Sequence, residues 1–111
     1  MYISKSIKIP KFPVDGDVCN LYIHIIYDEN NKVRKILCNV GKGSAMDIAD
    51  YETIVRLINN LLKKEDLSDI CHTLTNIDAG IRYRYGDRTV KSFGDLLSVI
   101  LTKEIQQQQQ V

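Results

Sequence analysis

Three arginines and two tyrosines fall within eight residues in the stretch Ile-Arg-Tyr-Arg-Tyr-Gly-Asp-Arg, at positions 81–88. The alternation at its start predicts a short strand with the first two arginines on one surface, the third within their reach, and both tyrosines on the other. Guanidinium groups bind phosphate through paired hydrogen bonds, and an aromatic ring can stack on a nucleobase, so the stretch predicts a nucleotide site. An exposed edge strand protected by its charges, with the tyrosines packed on a core, is the alternative. The candidate contacts are Arg82, Tyr83, Arg84, Tyr85 and Arg88.

A second candidate is the loop Gly41-Lys42-Gly43-Ser44, which follows a strand pattern and precedes a helix pattern. Free backbone N–H groups at a helix start can bind a phosphate or carboxylate, and the two glycines would let a ligand approach closely. Lys42 adds a positive charge. The spacing is not that of a P-loop. A β-to-α turn also uses glycine for its geometry and serine for its cap, so a structural role stays open.

Two further residues complete the candidate ligand set. Arg56 stands four residues after Glu52 on a helix pattern, where an i,i+4 ion pair is its ordinary role. Phe93, at the start of the final helix, supplies a ring that could lie against a base. His24 and His72 have no further ligand at metal-site spacing, so no metal site is expected. No dinucleotide fingerprint, nucleophile elbow or acid–base pair is recognisable, and we expect a binding protein and not an enzyme.

The cysteines Cys19, Cys38 and Cys71 are odd in number and widely spaced, which argues against a disulfide framework. All three fall in apolar patterns, so small buried side chains are the first interpretation. A reactive thiol is the other, and it would need His24 or His72 nearby in the fold. A small enzyme that uses Cys71 or His72 is therefore the weakest functional hypothesis.

The amino-acid composition limits the kinds of partner that the chain can bind. Lys and Arg total 15 and Asp and Glu total 14, so the net charge of +1 provides no general field for a nucleic-acid polymer. The opening Met-Tyr-Ile-Ser-Lys has no apolar run of signal-peptide length, and no uncharged run approaches the ~18 residues that cross a bilayer. We expect neither nucleic-acid polymers nor membranes as partners. The expected location is cytoplasmic.

Hydrophobic periodicity predicts the strands that position these residues. Residues 2–9 predict an edge strand that ends at Lys-Phe-Pro13, because proline cannot feed a central ladder. Residues 21–27 and 33–40 alternate, and the turn residues 28–32 lie between them. These two segments predict a β-hairpin.

The helices follow. From Ala45 the apolar period becomes that of a long helix, with Asn59 on its solvent side. Its expected buried stripe consists of Ile48, Tyr51, Val55, Ile58 and Leu62, widened by Ile54, Leu57 and Leu61. A shorter amphipathic helix spans residues 67–74, residues 81–85 form a strand or extended ribbon, and the last helix opens at Ser92.

The predicted fold class is α+β, with a small antiparallel sheet, made of the N-terminal strand and the hairpin, packed against two or three helices. One ligand-binding domain is expected over residues 1–105. The glutamine-rich residues 106–111 are expected to form a disordered tail.

This order of elements resembles a known module. A hairpin leads to Asn-Val-Gly-Lys-Gly-Ser at 39–44, then to a helix with Arg-Leu-Ile at 56–58 and a short helix ending in Leu-Thr-Asn-Ile at 74–77. The chain is similar here to the small C-terminal domain of adenosylcobalamin-dependent ribonucleotide reductases, called the TSCPD domain. The likeness continues through residues 81–95 and covers roughly residues 19–104.

Free-standing proteins similar to this module occur in phages, and the chain resembles the anti-Thoeris nucleotide-sponge family (Tad, type one). The resemblance implies a homo-oligomer, a dimer or a dimer-based hexamer. It implies sequestration, without cleavage, of cyclic ADP-ribose signals made by TIR-domain defence enzymes, and in some members of cyclic oligonucleotides. It implies no cofactor, and the host-cell cytoplasm as the location if a phage encodes the chain. The candidates matched by type and position are Gly41 to Ser44, Arg56, and Tyr83 to Arg88.

The alternative function is an accessory or protein-interaction module related to the reductase domain. It would dock onto a protein partner through an exposed strand edge. Ribonucleotide reduction by this chain is not expected, because the paired cysteines that accompany the reductase module are missing.

Overall fold

The computed structural model describes residues 3–14, 16–41 and 45–109, without the side chains of residues 45, 46, 108 and 109. The described chain is α+β, as predicted, with a three-stranded antiparallel sheet, a two-stranded sheet and three helices. It divides into two compact units, Met1–Lys64 and Glu65–Val111, where the sequence predicted one domain over residues 1–105. Over the described ranges, no helix combines the length and apolar character needed to cross a membrane.

The first unit contains the three-stranded sheet and one helix. The strands are β1 (Ile3–Val14), β2 (Asp17–Tyr27) and β3 (Val33–Val40), in the order β1-β2-β3, and the helix α1 is Ala45–Leu61. Both strand pairs are antiparallel. The predicted edge position of the first strand and the predicted hairpin are therefore confirmed.

Strand β1 continues beyond its predicted end at residue 9. The pairing with β2 shifts between Ile9 and Phe12, where Lys11 takes a positive φ of 53°. The Lys11 N–H donates to the Asn20 side-chain oxygen at 3.1 Å. The shift returns Phe12 to the inner face, where it is fully buried. A sheet edge tolerates proline, so the two prolines of β1 do not end it.

Helix α1 covers only the inner face of this sheet. Its Val55 and Ile58 are 5% and 2% exposed, and the Tyr51 ring meets Phe12 edge to face with centroids 6.4 Å apart. The sequence also predicted burial of Ile48, Leu57 and Leu61, and that part was wrong. A sheet on one side reaches only a narrow stripe of a helix, so the flanks of α1 stay outside the core. The exposed members of the predicted stripe are Ile48, Leu57 and Leu61.

An asparagine joins α1 to the backbone of β3. The Asn59 side chain donates from Nδ2 to the Ile36 carbonyl and accepts the Ile36 N–H at Oδ1, both at 2.8 Å. The prediction that Asn59 faces solvent was wrong, because a carboxamide offers the same donor and acceptor pair as a neighbouring strand. It thereby satisfies backbone groups of an edge strand.

The second unit contains α2 (Leu67–Leu74), β4 (Tyr83–Tyr85), β5 (Arg88–Val90) and α3 (Phe93–Gln109). The boundaries of α2 match the prediction. Strand β5 was not predicted, because three residues after a turn carry too little periodicity to identify. Helix α3 continues to Gln109 and so includes most of the segment expected to be a disordered tail. Glutamine is a good helix former, so the helix propagates through it.

A buried carboxylate fixes the start of α3. Asp95 is 1% exposed and accepts the N–H groups of Asn76 at 2.9 Å and Lys91 at 3.0 Å. Its own N–H donates to the Ser92 hydroxyl at 2.9 Å, which makes Ser92 the N-cap of the helix that the sequence expected to open there. One side chain thereby joins the segment after α2, the end of β5 and the first turn of α3.

We predict that Asn59→Ala lowers the free energy of unfolding by about 1–3 kcal/mol, because it leaves the backbone amide and carbonyl of the buried Ile36 without a partner. Urea unfolding monitored by circular dichroism measures this loss. The matched control is Asn60→Ala, at an exposed neighbouring position, which should change stability by no more than about 0.5 kcal/mol. Equal effects of the two substitutions would contradict the assigned role of Asn59.

Candidate functional site

The arginine- and tyrosine-rich stretch forms a two-stranded hairpin. Tyr85 pairs with Arg88 across the two-residue turn, and Arg84 pairs with Thr89. Directly opposed residues in an antiparallel pair share one face, so Arg88 lies on the face of Tyr85 and Arg84 on the other. Gly86 has a φ of 61°, which suits the first central position of a type II′ turn.

The pairing corrects the expected grouping of the three arginines. Arg88 is on the tyrosine face, away from the face of Arg84, because the turn sets the register of β5. Arg82 precedes β4, and its guanidinium donates to both carboxylate oxygens of Asp78, at 3.0 and 3.2 Å. This hydrogen bonding raises the pKa of Arg82 and lowers the pKa of Asp78. The Arg82 guanidinium therefore already has a partner within the chain, although the side chains of Arg82 and Asp78 are both exposed.

A lysine from α3 meets the tyrosine face of the hairpin. The Lys103 Nζ lies 4.7 Å from the centroid of the Tyr85 ring, a cation–π contact. A Cβ placed on Gly86 would lie 3.0 Å from the same Nζ. Glycine at this turn therefore both takes the positive φ and leaves room for the lysine. The contact holds Lys103 on the face of the hairpin that carries Arg88.

A cleft of about 560 Å³ opens within the second unit, lined by α2, α3 and the β4–β5 turn, and is called here the α2–α3 cleft. A volume of this order suits a small-molecule site. Its α2 wall follows helical spacing, so one stripe of the helix faces it. The wall residues from α2 and its C-cap are Ser68, Cys71, His72 and Thr75.

The opposite wall brings charge into the cleft. Arg88 and Lys103 both line it, and the His72 imidazole lies on the α2 side. Asp87, from the turn, adds a carboxylate, while Val99 adds an apolar surface. Hydroxyl groups of both helices and the Gln106 side chain complete a lining that combines cations, hydrogen-bonding groups and apolar surface.

Cys71 has a thiol at the cleft but not an activated one. The residue is 5% exposed, and burial raises the pKa of its thiol, with a hydrogen bond from Thr102 opposing this in part. The Cys71 carbonyl accepts the Ser98 hydroxyl at 3.0 Å, which ties α2 to α3. A nucleophilic cysteine needs a lowered pKa, and this thiol has the reverse. Cys71 and His72 both line the cleft, but they are adjacent residues of α2, and neighbouring side chains on a helix do not face each other.

The remaining candidates on the hairpin side belong to the packed interior. Tyr83 is half-buried, and burial raises the pKa of its hydroxyl. Phe93 is 5% exposed and is not among the residues that line the cleft. Contact between a ligand and the Phe93 ring would need the core of the unit to open.

The glycine loop and Arg56 belong to the first unit. The Gly41 N–H donates to the Asn20 carbonyl at 2.8 Å, so this amide is already used. Lys42, Gly43 and Ser44 lie outside the described residues. Arg56 forms the i,i+4 ion pair with Glu52 at 2.6 Å, which confirms the ordinary role given to it.

Sequence reasoning missed the α3 wall of the cleft. Lys103 stood alone in the sequence as a cation of the last helix, and nothing nearby marked it. The available signal was the spacing of Ser98, Thr102 and Gln106, at intervals of four on one helix face. Within the described ranges, no group of three or more His, Cys, Asp or Glu residues could hold a metal ion.

We predict that Cys71 in the folded protein is alkylated by iodoacetamide more slowly than in the urea-unfolded chain at about pH 8, because burial disfavours the thiolate. Peptide mass spectrometry over time measures the rate at each cysteine. Cys38 is the internal reference, since burial raises its pKa from 9.0 to about 12, which lowers the thiolate fraction about a thousandfold. Faster labelling of Cys71 in the folded chain would revive the enzyme hypothesis.

No model of a known protein family matches the chain, and no curated protein or solved structure matches it. The functional assignment therefore depends on the geometry of the α2–α3 cleft and on the sequence motifs.

Proposed function

We propose that the chain binds a small phosphate-bearing nucleotide in the α2–α3 cleft and holds it unchanged. The ligand class that fits the resemblance is the cyclic ADP-ribose type of immune signal, with cyclic oligonucleotides as a second class. Sequestration of such a signal by a cytoplasmic homo-oligomer counters TIR-based antiphage defence.

The observation that carries the proposal is the convergence of Arg88 and Lys103 on one cleft. A guanidinium fork binds two phosphate oxygens, and an ammonium adds a point charge beside it. The Tyr85 ring under Lys103 holds that ammonium in place, so less side-chain freedom is lost when the phosphate binds. Two cations from different elements suit a pyrophosphate better than one phosphate group.

The rest of the lining favours a nucleotide over inorganic phosphate. The Asp87 carboxylate repels a bare phosphate but accepts hydrogen bonds from a ribose hydroxyl or an exocyclic amine. The hydroxyls of Ser68 and Thr75 can bind sugar or phosphate oxygens. Val99 and Ile105 offer apolar surface to a base. A nucleotide presents all of these groups within one molecule.

The cleft lining also supports retention of the ligand without turnover. Hydrolysis of a pyrophosphate or glycosidic bond calls for an activated nucleophile, a metal ion or a pair of carboxylates. The Cys71 thiol has a raised pKa. Among the described residues that line the cleft, Asp87 supplies the only carboxylate. These features favour a sponge.

The alternative, a protein-interaction module, would use the exposed edge of β1. This edge carries Lys5, Lys8 and Lys11 and two prolines. Charged residues and proline on an edge strand oppose the addition of another strand. Copurification of a stable protein partner, with no nucleotide uptake, would favour this alternative.

We predict that Arg88→Ala and Lys103→Ala each weaken binding of a cyclic ADP-ribose isomer about ten- to a hundredfold, because a lost charged hydrogen bond costs about 1.5–3 kcal/mol. Titration calorimetry measures the affinity. Arg84→Ala is the matched control, an exposed arginine on the opposite face of the same hairpin, and it should bind as the unmodified chain does.

The results for these variants show which face of the β4–β5 hairpin binds the ligand. Loss of binding in Arg84→Ala with retention in Arg88→Ala would move the site to the other face. Failure of the unmodified chain to take up any isomer would contradict the proposal, as would recovery of a hydrolysed product after heat release.

We also predict that the same ligand, at about a hundred times its dissociation constant, stabilises the folded chain by about 2.7 kcal/mol. A thermal-shift assay with cyclic ADP-ribose isomers, cyclic dinucleotides and cyclic trinucleotides measures the effect. Inorganic phosphate at the same concentration is the control and should give a smaller shift, because it has no sugar or base to contact the rest of the cleft lining. Equal shifts with phosphate would reduce the site to a general anion site.

A further inference from the structure

His72 is a third basic residue of the α2–α3 cleft, beside the pair Arg88 and Lys103 that carries the proposed phosphate site. It lies on the α2 wall, while Arg88 and Lys103 line the same cleft from β5 and α3. All three residues belong to the second unit. A phosphate held by the two permanent cations therefore has an imidazole on the other wall of the cleft.

Hydrogen bonds between α2 and α3 fix the position of His72 relative to Lys103. The Cys71 carbonyl accepts the Ser98 hydroxyl at 3.0 Å, and the Thr102 side chain is hydrogen-bonded to Cys71. His72 directly follows Cys71, and Lys103 directly follows Thr102. The contact between Cys71 and Thr102 therefore holds the two basic residues in one region of the cleft, which both of them line.

The spacing along α2 places His72 between two hydroxyl groups. Ser68, His72 and Thr75 follow one another at intervals of four and three residues, so they lie on one stripe of the helix. All three line the cleft. A phosphate oxygen that contacts this wall can therefore meet an imidazole N–H together with a serine or threonine hydroxyl.

The charges around the imidazole oppose one another in the empty cleft. Arg88 and Lys103 disfavour a third positive charge, whereas the Asp87 carboxylate favours it. His72 lies in the last turn of α2, where the helix dipole also favours a cation. Asp69, three residues before His72 on the same helix, adds a carboxylate outside the cleft lining. An imidazole, unlike a guanidinium or an ammonium, can gain or lose its charge between about pH 5 and 8.

We propose that His72 is the third phosphate-binding residue of the cleft and that its imidazole takes up a proton from water when the nucleotide binds. The inference rests on the proposed function, because the phosphate groups supply the negative charge. A pyrophosphate offsets the repulsion that Arg88 and Lys103 exert on an imidazolium. The protonated ring then donates a charged hydrogen bond to a phosphate oxygen.

Proton uptake gives the binding affinity a definite dependence on pH. The complex holds more protons than the free protein and free ligand, so the affinity rises as the pH falls. One charged hydrogen bond gained between about pH 8 and pH 5.5 corresponds to about a tenfold rise. Arg88 and Lys103 keep their charges over this range. The Cys71 thiol stays neutral, because burial raises its pKa.

Calorimetric titration with cyclic ADP-ribose isomers at pH 5.5 and pH 8.0, at one ionic strength, tests the proposal. The unmodified chain should bind about tenfold more tightly at pH 5.5. His72→Gln at pH 5.5 should bind only as tightly as the unmodified chain does at pH 8.0. His72→Arg carries a permanent charge and should bind tightly at both pH values.

The second histidine of the chain provides the matched control. His24 lies on β2 in the first unit, where Ser6 and Asn39 are its hydrogen-bond partners. His24→Gln should keep the full pH dependence of binding. In proton NMR spectra at pH 6.5, ligand should move the His72 imidazole resonance toward its imidazolium position and leave that of His24 in place. Circular dichroism at both pH values confirms that each variant is folded.

The outcomes distinguish the role of His72 from the proposed function. Binding of equal affinity at pH 5.5 and pH 8.0 overturns the role of His72 and leaves the proposed function intact. A pH dependence that persists in His72→Gln also overturns that role, because another group then titrates. Absence of binding by the unmodified chain at both pH values contradicts the proposed function itself, and the role of His72 falls with it.

Discussion

The buried carboxylate of Asp95 is the interaction on which the second unit depends. A carboxylate that is 1% exposed must be matched by donors, and the chain supplies backbone N–H groups from Asn76 and Lys91. These bonds join the segment after α2 to the end of β5 and the first turn of α3. Arg88 lies on β5 and Lys103 on α3, so the hydrogen bonds of Asp95 fix the positions of the two elements that carry these cations. The arrangement of the cleft therefore depends on a buried side chain that does not line it.

The two-residue turn then decides which arginine faces that cleft. In a hairpin with this turn, the residues on either side of it oppose one another, so Arg88 must share the face of Tyr85. A one-residue difference in register would have put Arg88 beside Arg84 instead. Gly86 permits the turn and leaves space for Lys103 beside the Tyr85 ring. Turn geometry thus assigns one arginine to the site and leaves another on the opposite face.

In the first unit, the small sheet buries one stripe of α1 and leaves the neighbouring stripe exposed. One sheet face covers one stripe of α1, and Asn59 secures that stripe by bonding the Ile36 backbone as a strand would. The neighbouring stripe, with Leu57 and Leu61, stays exposed.

The sequence alone determined the α+β class, the hairpin, all three helices and the start of the last helix at Ser92, because periodicity is a local property. It also marked the arginine- and tyrosine-rich stretch and the Arg56–Glu52 pair. It did not reveal β5, the role of Asn59 or the place of Lys103 beside Tyr85, since each depends on residues distant in the chain. Only the tertiary structure separated Arg88 from Arg84, because strand register is not encoded in any short window of residues.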